Sequence, residues 1–229
     1  MFKFLFPRES YISKSALIDY QVFVINTVLF ALLSNAIMAV VTAFISVYVG
    51  GIFKQTFSDS IVGIWYWTPV ASFFFFFLIK VLIIDFINYW THRVFHTNAI
   101  LWPLHRLHHS AEVLNPLTIH RKHPLFTFIN SAMQTLVVGT VTAIVFSIFV
   151  GKPNYYNMLG VSMLRAVFNL TGAALRHTHI WISYGPYVSK ILISPAQHQV
   201  HHSVQKKHLN KNFGEIFALW DWLFGTLYI

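Results

Sequence analysis

Residues 73–96 read FFFFFLIKVLIIDFINYWTHRVFH, and the change of character inside that stretch governs the reading of the whole chain. Up to Ile84 it is apolar except for Lys80, with five consecutive phenylalanines that an aqueous surface would not tolerate. Past Asp85 come Tyr89 and Trp90, side chains that favour a membrane–water boundary. His92 and His96 follow, one helical turn apart and therefore on one face of a continuing helix. An apolar span thus leaves the lipid carrying two imidazoles aimed the same way.

Three further apolar stretches resemble the first half of this one. Together the four run from Tyr20 to Val49, Ile61 to Ile84, Phe126 to Val150 and Tyr155 to Leu175, each close to the roughly 20 residues that cross a bilayer as a helix. Composition agrees: 56% of the 229 residues are hydrophobic, 10% are charged, and the mean hydropathy is +0.58. The first span lies too far in, and lacks a clear small-residue cleavage site, to be a signal peptide. Gly50-Gly51-Ile52-Phe53-Lys54 and Gly151-Lys152-Pro153-Asn154 are expected to turn the chain between spans. The expected fold is all-α: a multi-pass integral membrane four-helix bundle of two helical hairpins, residues 1–229 forming one domain with both termini on one side. A helical cap, residues 85–125 and 176–229, covers that side.

Charge orients the bundle. The segments on the terminus side carry twelve Lys and Arg, whereas the opposite turns carry Lys54 and Lys152, so the cap is expected in the cytoplasm. The net charge of +9 is accounted for by topology and anionic headgroups. Nucleic acid is not an expected partner, because the basic residues form no stripe with interleaved aromatics.

All 13 histidines fall in 85–125 or 176–229. His92 and His96 form one cluster, His105, His108 and His109 a second, and His198, His201 and His202 a third, with His177 standing alone. Positions i, i+3 and i+4 share a helix face, so each cluster can aim two or three rings at one point. Adjacent pairs such as His108 and His109 point apart and can serve two neighbouring ions from one helix. With no cysteine in the chain, a metal must be held by nitrogen or oxygen. Imidazole accepts zinc, copper and iron alike, so residue type does not name the metal. At least nine imidazoles exceed the four ligands of a closed structural zinc site and suffice for two ions with positions left for O2. Two irons, replaceable by zinc through mis-metallation, are the economical expectation. Carboxylates are too few for a carboxylate-bridged centre, and Asp85 is expected to accept an imidazole N–H and fix that ring's tautomer.

This pattern of HxxxH, HxxHH and HxxHH on a membrane scaffold resembles the fatty acid hydroxylase and sterol desaturase superfamily. The surrounding residues are similar too: Asp85 to Arg93 at the entry to the first box, Leu101-Trp102 before the second, Arg121-Lys122-His123-Pro124-Leu125, Arg176-His177-Thr178, Ser194-Pro195-Ala196-Gln197-His198, Asn212-Phe213-Gly214, Trp220-Asp221 and Phe224-Gly225-Thr226. Trp222 departs from the basic residue common after Trp-Asp. The resemblance runs from about residue 70 to the end. It implies metal ligands at His92, His96, His105, His108, His109, His177, His198, His201 and His202. It also implies an additional ligand or outer partner at His123 or, failing that, His120, while His179 and His208 match no ligand position.

The resemblance implies oxidation of unactivated lipid C–H bonds, by hydroxylation or desaturation, of a sterol-like, fatty-acyl or carotenoid substrate. That chemistry needs O2 and two electrons. The chain carries no haem-binding domain and no GxGxxG fingerprint, so a separate electron donor is expected, a reductase, ferredoxin or cytochrome-type carrier, docking near Lys206, Lys207 and Lys211. Arg165 and Asn169, four apart in the fourth span, are expected to line a substrate passage, since lipid would reject them. The alternatives are a haem electron-transfer protein, which would pair histidines across facing spans, and a metal transporter, which would carry ionisable residues along several spans. Neither pattern is present among the histidines.

Overall fold

The computed structural model describes residues 2–57, 69–148 and 172–229. Among these every regular element is helical, and the only β-type pairing is an isolated bridge between Leu192 and Phe217. Two short helices, α1 (Phe2–Leu5) and α2 (Arg8–Tyr11), lead into α3 (Lys14–Leu29), whose first turn is capped by the Ser13 hydroxyl accepting from Ala16 N–H.

From α3 the chain passes through one π-helical turn (Phe30–Ser34) into α4 (Asn35–Phe57) without leaving helical backbone. Gly50 and Gly51 lie inside α4, which corrects the expectation of a turn at Gly50–Lys54. A glycine in a helix interior costs only about 1 kcal/mol relative to alanine. Where no water can take over a freed N–H or C=O, opening the helix costs several. α3 to α4 is therefore about 66 Å long at 1.5 Å per residue, more than twice a bilayer core of roughly 30 Å. Leu32, Val40 and Val47 on it are each 70% or more exposed, a surface suited to lipid.

α5 (Pro69–Thr97) carries the apolar run and the first histidine pair in one unbroken helix, as the sequence predicts. Asn98 ends it by accepting from Ile100 and Leu101 N–H, turning the chain into α6 (Trp102–His109). A 3₁₀ turn (Pro116–His120) leads to α7 (Pro124–Ile148), which packs against both α4 and α5. The α4–α7 approach is close at Gly139, where a Cβ would stand 3.5 Å from Ile45. The stretch from Arg8 to Phe53 and Pro124–Ile144 are long and apolar enough to cross a membrane. The Gly151–Asn154 turn, most of the span expected at 155–175, and Arg165 and Asn169 lie outside the described residues.

The remainder is short helices on loops: α8 (Ala174–Arg176), α9 (Gly185–Val188), α10 (Pro195–His201) and α11 (Leu219–Leu223). α10 is too short to persist alone. It starts with a capping box, Ser194 Oγ accepting from Gln197 N–H at 3.2 Å and Gln197 Oε1 accepting from Ser194 N–H at 2.9 Å.

Candidate metal centre

α5, α6 and α10 converge with His177, just after α8, and His202, just after α10, so that the ring nitrogens of nine histidines meet in two groups. One holds His92, His96, His105, His109 and His201; the other holds His108, His177, His198 and His202. Within each group the candidate ligand atoms all lie within 4.8 Å of one another. The nine are the residues singled out by the sequence.

How α6 and α10 divide their rings follows from helical geometry. His105 and His109, a full turn apart, enter the five-membered group while His108 crosses to the other. In α10 the allocation is reversed: His198 and His202 enter the four-membered group and His201 crosses. Each HxxHH segment therefore serves both groups, its outer residues one and its middle residue the other.

The contacts between rings suit ligands better than hydrogen-bond partners. His177 Nε2 stands 3.2 Å from His108 Nε2 and 2.9 Å from His198 Nε2, and His105 and His109 Nε2 are 3.2 Å apart. Two nitrogens each about 2.1 Å from one ion stand roughly 3.0–3.4 Å apart at right to tetrahedral angles. Nε2 of His92, His96, His201 and His202 is buried with no hydrogen-bond partner, a costly condition that a bound cation relieves. The donor set, all imidazole, fits zinc, copper or iron.

Backbone carbonyls fix several rings from behind. His92 Nδ1 donates to Phe213 O at 2.9 Å and His201 Nδ1 to Lys211 O at 2.8 Å, while His177 Nδ1 stands 3.5 Å from Ala173 O. A proton held at Nδ1 leaves the Nε2 lone pair directed into the group. Burial lowers the pKa of all nine imidazoles below the ordinary 6.5, His201 to about 4, and in eight of them the crowding of other protonatable groups, chiefly neighbouring imidazoles, further disfavours taking up a proton. The rings are neutral at physiological pH, the form a metal binds.

Asp85 is placed differently from the sequence expectation, and this is a correction. Its carboxylate accepts from Ile216 N–H at 2.8 Å, Phe217 N–H at 2.9 Å and Trp220 Nε1 at 3.0 Å, with no imidazole among its partners. Burial pushes the carboxyl up to about 6, opposed by those donors. It thereby ties α5 to the loop whose Phe213 carbonyl holds His92. Asp221 fastens the same loop, accepting from Phe213 and Gly214 N–H at 2.8 Å each. Gly214 is required there: a Cβ would lie 2.5 Å from Phe217 O and 2.9 Å from Asp221 Oδ2.

His123 and His120 join neither group. His123 Nδ1 accepts from Leu125 N–H at the start of α7, and the His120 ring packs 4.9 Å from Phe23. His179 Nε2 donates to Phe4 O at 2.7 Å and the His208 ring packs 4.9 Å from Tyr228, so both serve local packing. Lys206 and Lys207 lie on an exposed 3₁₀ turn beyond α10.

Two features have no counterpart in the sequence expectations. The first is a buried clasp beneath α6. Arg121 pairs with Asp19 at 3.2 Å and donates to Leu107 O and Ser110 O, two carbonyls at the end of α6. Asp19 also accepts from Asn115 and Thr118, so the pair is well satisfied. The second is a small cavity beside the histidines, with a volume of about 20 Å³. Residues of both groups reach it, including His92 and His177, and Asn88, Asn130 and Glu215 form a polar wall. Asn130 and Gln134 sit four apart in a mostly apolar helix, the same spacing as Arg165 and Asn169 in the sequence.

Residues 77–226 match the family model described as fatty acid hydroxylase. Alkylglycerol monooxygenase of Homo sapiens is 29% identical over 147 residues, 62% of this chain and 28% of that protein. Ornithine lipid hydroxylase of Rhizobium tropici is 29% identical over 157 residues, 66% of this chain and 41% of that protein. A very-long-chain aldehyde decarbonylase of Oryza sativa subsp. japonica is 27% identical over 163 residues, 69% of this chain and 56% of that protein. The chain thus spans between 28% and 56% of the length of these relatives. No solved structure matches.

Proposed function

The chain belongs to the fatty acid hydroxylase family, and from that membership we propose that it is a membrane-bound oxygenase whose nine histidines hold two iron ions and which uses O2 to hydroxylate a lipid. The observation that carries the reading is the division of the nine imidazoles into groups of five and four. Names of relatives such as alkylglycerol monooxygenase and ornithine lipid hydroxylase support a lipid oxidoreductase. Bound there, two redox-active ions would supply the activation of O2 that an unactivated C–H bond requires.

The chain's own contribution is placement and exclusion. Phe213 and Lys211 carbonyls keep the protons of His92 and His201 at Nδ1, so these ligands need not reorganise. The cavity beside the rings has Ile119 and Phe126 among its walls, which limits water near the reacting carbon. It lies between the membrane-leaving ends of α5 and α7, so an acyl or alkyl chain would reach it from the lipid. The helices are read as a four-span bundle with both termini and the histidine cap in the cytoplasm, Arg165 and Asn169 lining the passage. A separate electron donor meets the cap from the aqueous side, near Lys206, Lys207 and Lys211.

The test compares lipid extracts of cells with and without the protein by mass spectrometry. A species heavier by 16 mass units is expected for hydroxylation. A loss of 2 units would reassign the reaction to desaturation, and unchanged lipids with an active electron donor present would overturn the oxygenase reading.

A further inference from the structure

The polar wall of the cavity is a directional chain of hydrogen bonds. Glu215 offers a carboxylate, an acceptor, and Asn88 donates to it through Nδ2 at 2.8 Å. The carbonyl end of Asn88 must then face the other way. There it accepts from Asn130 Nδ2 at 3.1 Å and from Gln134 Nε2 at 2.7 Å. The orientation of each amide follows from the one before, so the Asn130 carbonyl cannot turn to share in the chain. That atom, Asn130 Oδ1, is buried and has no hydrogen-bond partner.

Amides between apolar helices often serve to hold those helices together, and the bonds from Asn130 and Gln134 to Asn88 do so for α5 and α7. That role accounts for the donors and leaves the acceptor over. An unfilled buried carbonyl costs about 1–3 kcal/mol unless something supplies a proton to it. Asn130 lines the same cavity as His92, His108 and His177. Opposite in chemistry, Lys122 also lines it, its ammonium 5.6 Å from the centre of the Phe126 ring.

The geometry points to Asn130 as the residue that selects the substrate: its Oδ1 accepts the proton of a lipid hydroxyl close to the carbon that is oxidised. A hydroxyl suits this cavity better than an amide N–H because one oxygen can donate to Asn130 and also accept from a cationic donor such as Lys122, which lines the same cavity. The substrate class is then an alcohol-bearing lipid and not a plain alkyl or acyl chain. This inference rests on the lipid-oxygenase reading above.

The experiment uses the full chain in detergent, loaded with zinc so that no turnover occurs. Binding of 1-O-dodecylglycerol is compared with that of its 2,3-di-O-methyl ether, which keeps every oxygen and lacks the protons, and zinc is counted in each sample. Wild type should bind the diol at least about tenfold more tightly, a difference of about 1.4 kcal/mol. Asn130→Leu should bring the two within about twofold, mainly through weaker diol binding, with two zinc ions retained. Asn130→Asp, which keeps an acceptor at the position, should keep the preference. Equal affinities in wild type would overturn the inference whether or not any variant folds, and so would an undiminished preference in Asn130→Leu. If wild type holds two zinc ions yet ignores the hydroxyls, this inference alone fails; if it holds no pair of ions, the lipid-oxygenase reading fails with it.

Discussion

The two histidine groups are built from the same helices yet held in different ways. The five-membered group leans on the loop at 211–217: Phe213 and Lys211 carbonyls fix His92 and His201, and Asp85 and Asp221 fix the loop. Two of its members, His96 and His109, are only half-buried. The four-membered group is buried except for half-buried His202. Its carbonyl support is limited to the longer contact from His177 to Ala173 O at 3.5 Å. One group has a spare ring and a strong outer frame; the other has neither, and three of its four rings border the cavity. The less supported group is the one with more of its rings on the cavity.

The sharpest way to break this contrast is to remove one ring from each side. His198→Ala leaves three imidazoles in its group and should reduce bound metal from two ions towards one, with lipid oxidation falling about 100-fold or more. His96→Ala leaves four and should keep both ions, with a loss of about tenfold. Equal metal loss in the two variants, measured by elemental analysis, would erase the distinction.

Arg121→Met acts on both groups at once, because it removes the cap from α6 and strands the buried Asp19 carboxylate. Breaking a buried pair from one side costs about 3–5 kcal/mol. Thermal unfolding should shift accordingly, and neither group should lose its ion selectively.

Acid should act through the lowered imidazoles. Their folded-state pKa values lie below 6.5, so as pH falls through 6.5 the unfolded chain takes up protons that the folded chain refuses, and stability declines. For His201, with a folded value of about 4, the loss between pH 7 and pH 5 is about 2 kcal/mol. Chelated protein should unfold more easily at pH 5 than at pH 7, with the decline levelling near pH 4 for this residue. Denaturant unfolding at several pH values measures it; stability rising on acidification would contradict the assignment.

Gly214→Ala presses on the loop alone. Overpacking there should cost about 1–3 kcal/mol and weaken metal binding by the five-membered group about 10-fold or more, leaving the other group unchanged. His179→Ala and His208→Ala lie outside both groups and should change stability by about 0.5 kcal/mol or less with two ions retained.

The sequence contains the ligand sets because their geometry is local. Residues at i, i+3 and i+4 fix where rings point on a helix, and the adjacency of His108 and His109 already implies two destinations. What it does not contain is pairing across distance. Asp85 meets Ile216 and Phe217 from 131 residues away, and no periodicity distinguishes a carboxylate that caps backbone N–H groups from one that holds an imidazole. The Asp19–Arg121 clasp is hidden for the same reason. Gly50 and Gly51 mislead because glycine breaks a helix only where water can take over the backbone. Asn130 and Gln134 carried a readable signal, polar residues one turn apart in an apolar run, but their partner Asn88 is visible only once α5 and α7 are packed.

The central claim is that these groups are two metal sites. Elemental analysis of the full chain, purified from membranes without chelator, measures it most directly. The expected ratio approaches two transition-metal ions per chain, as iron or with zinc in its place. A single tightly bound ion at full occupancy would contradict the account.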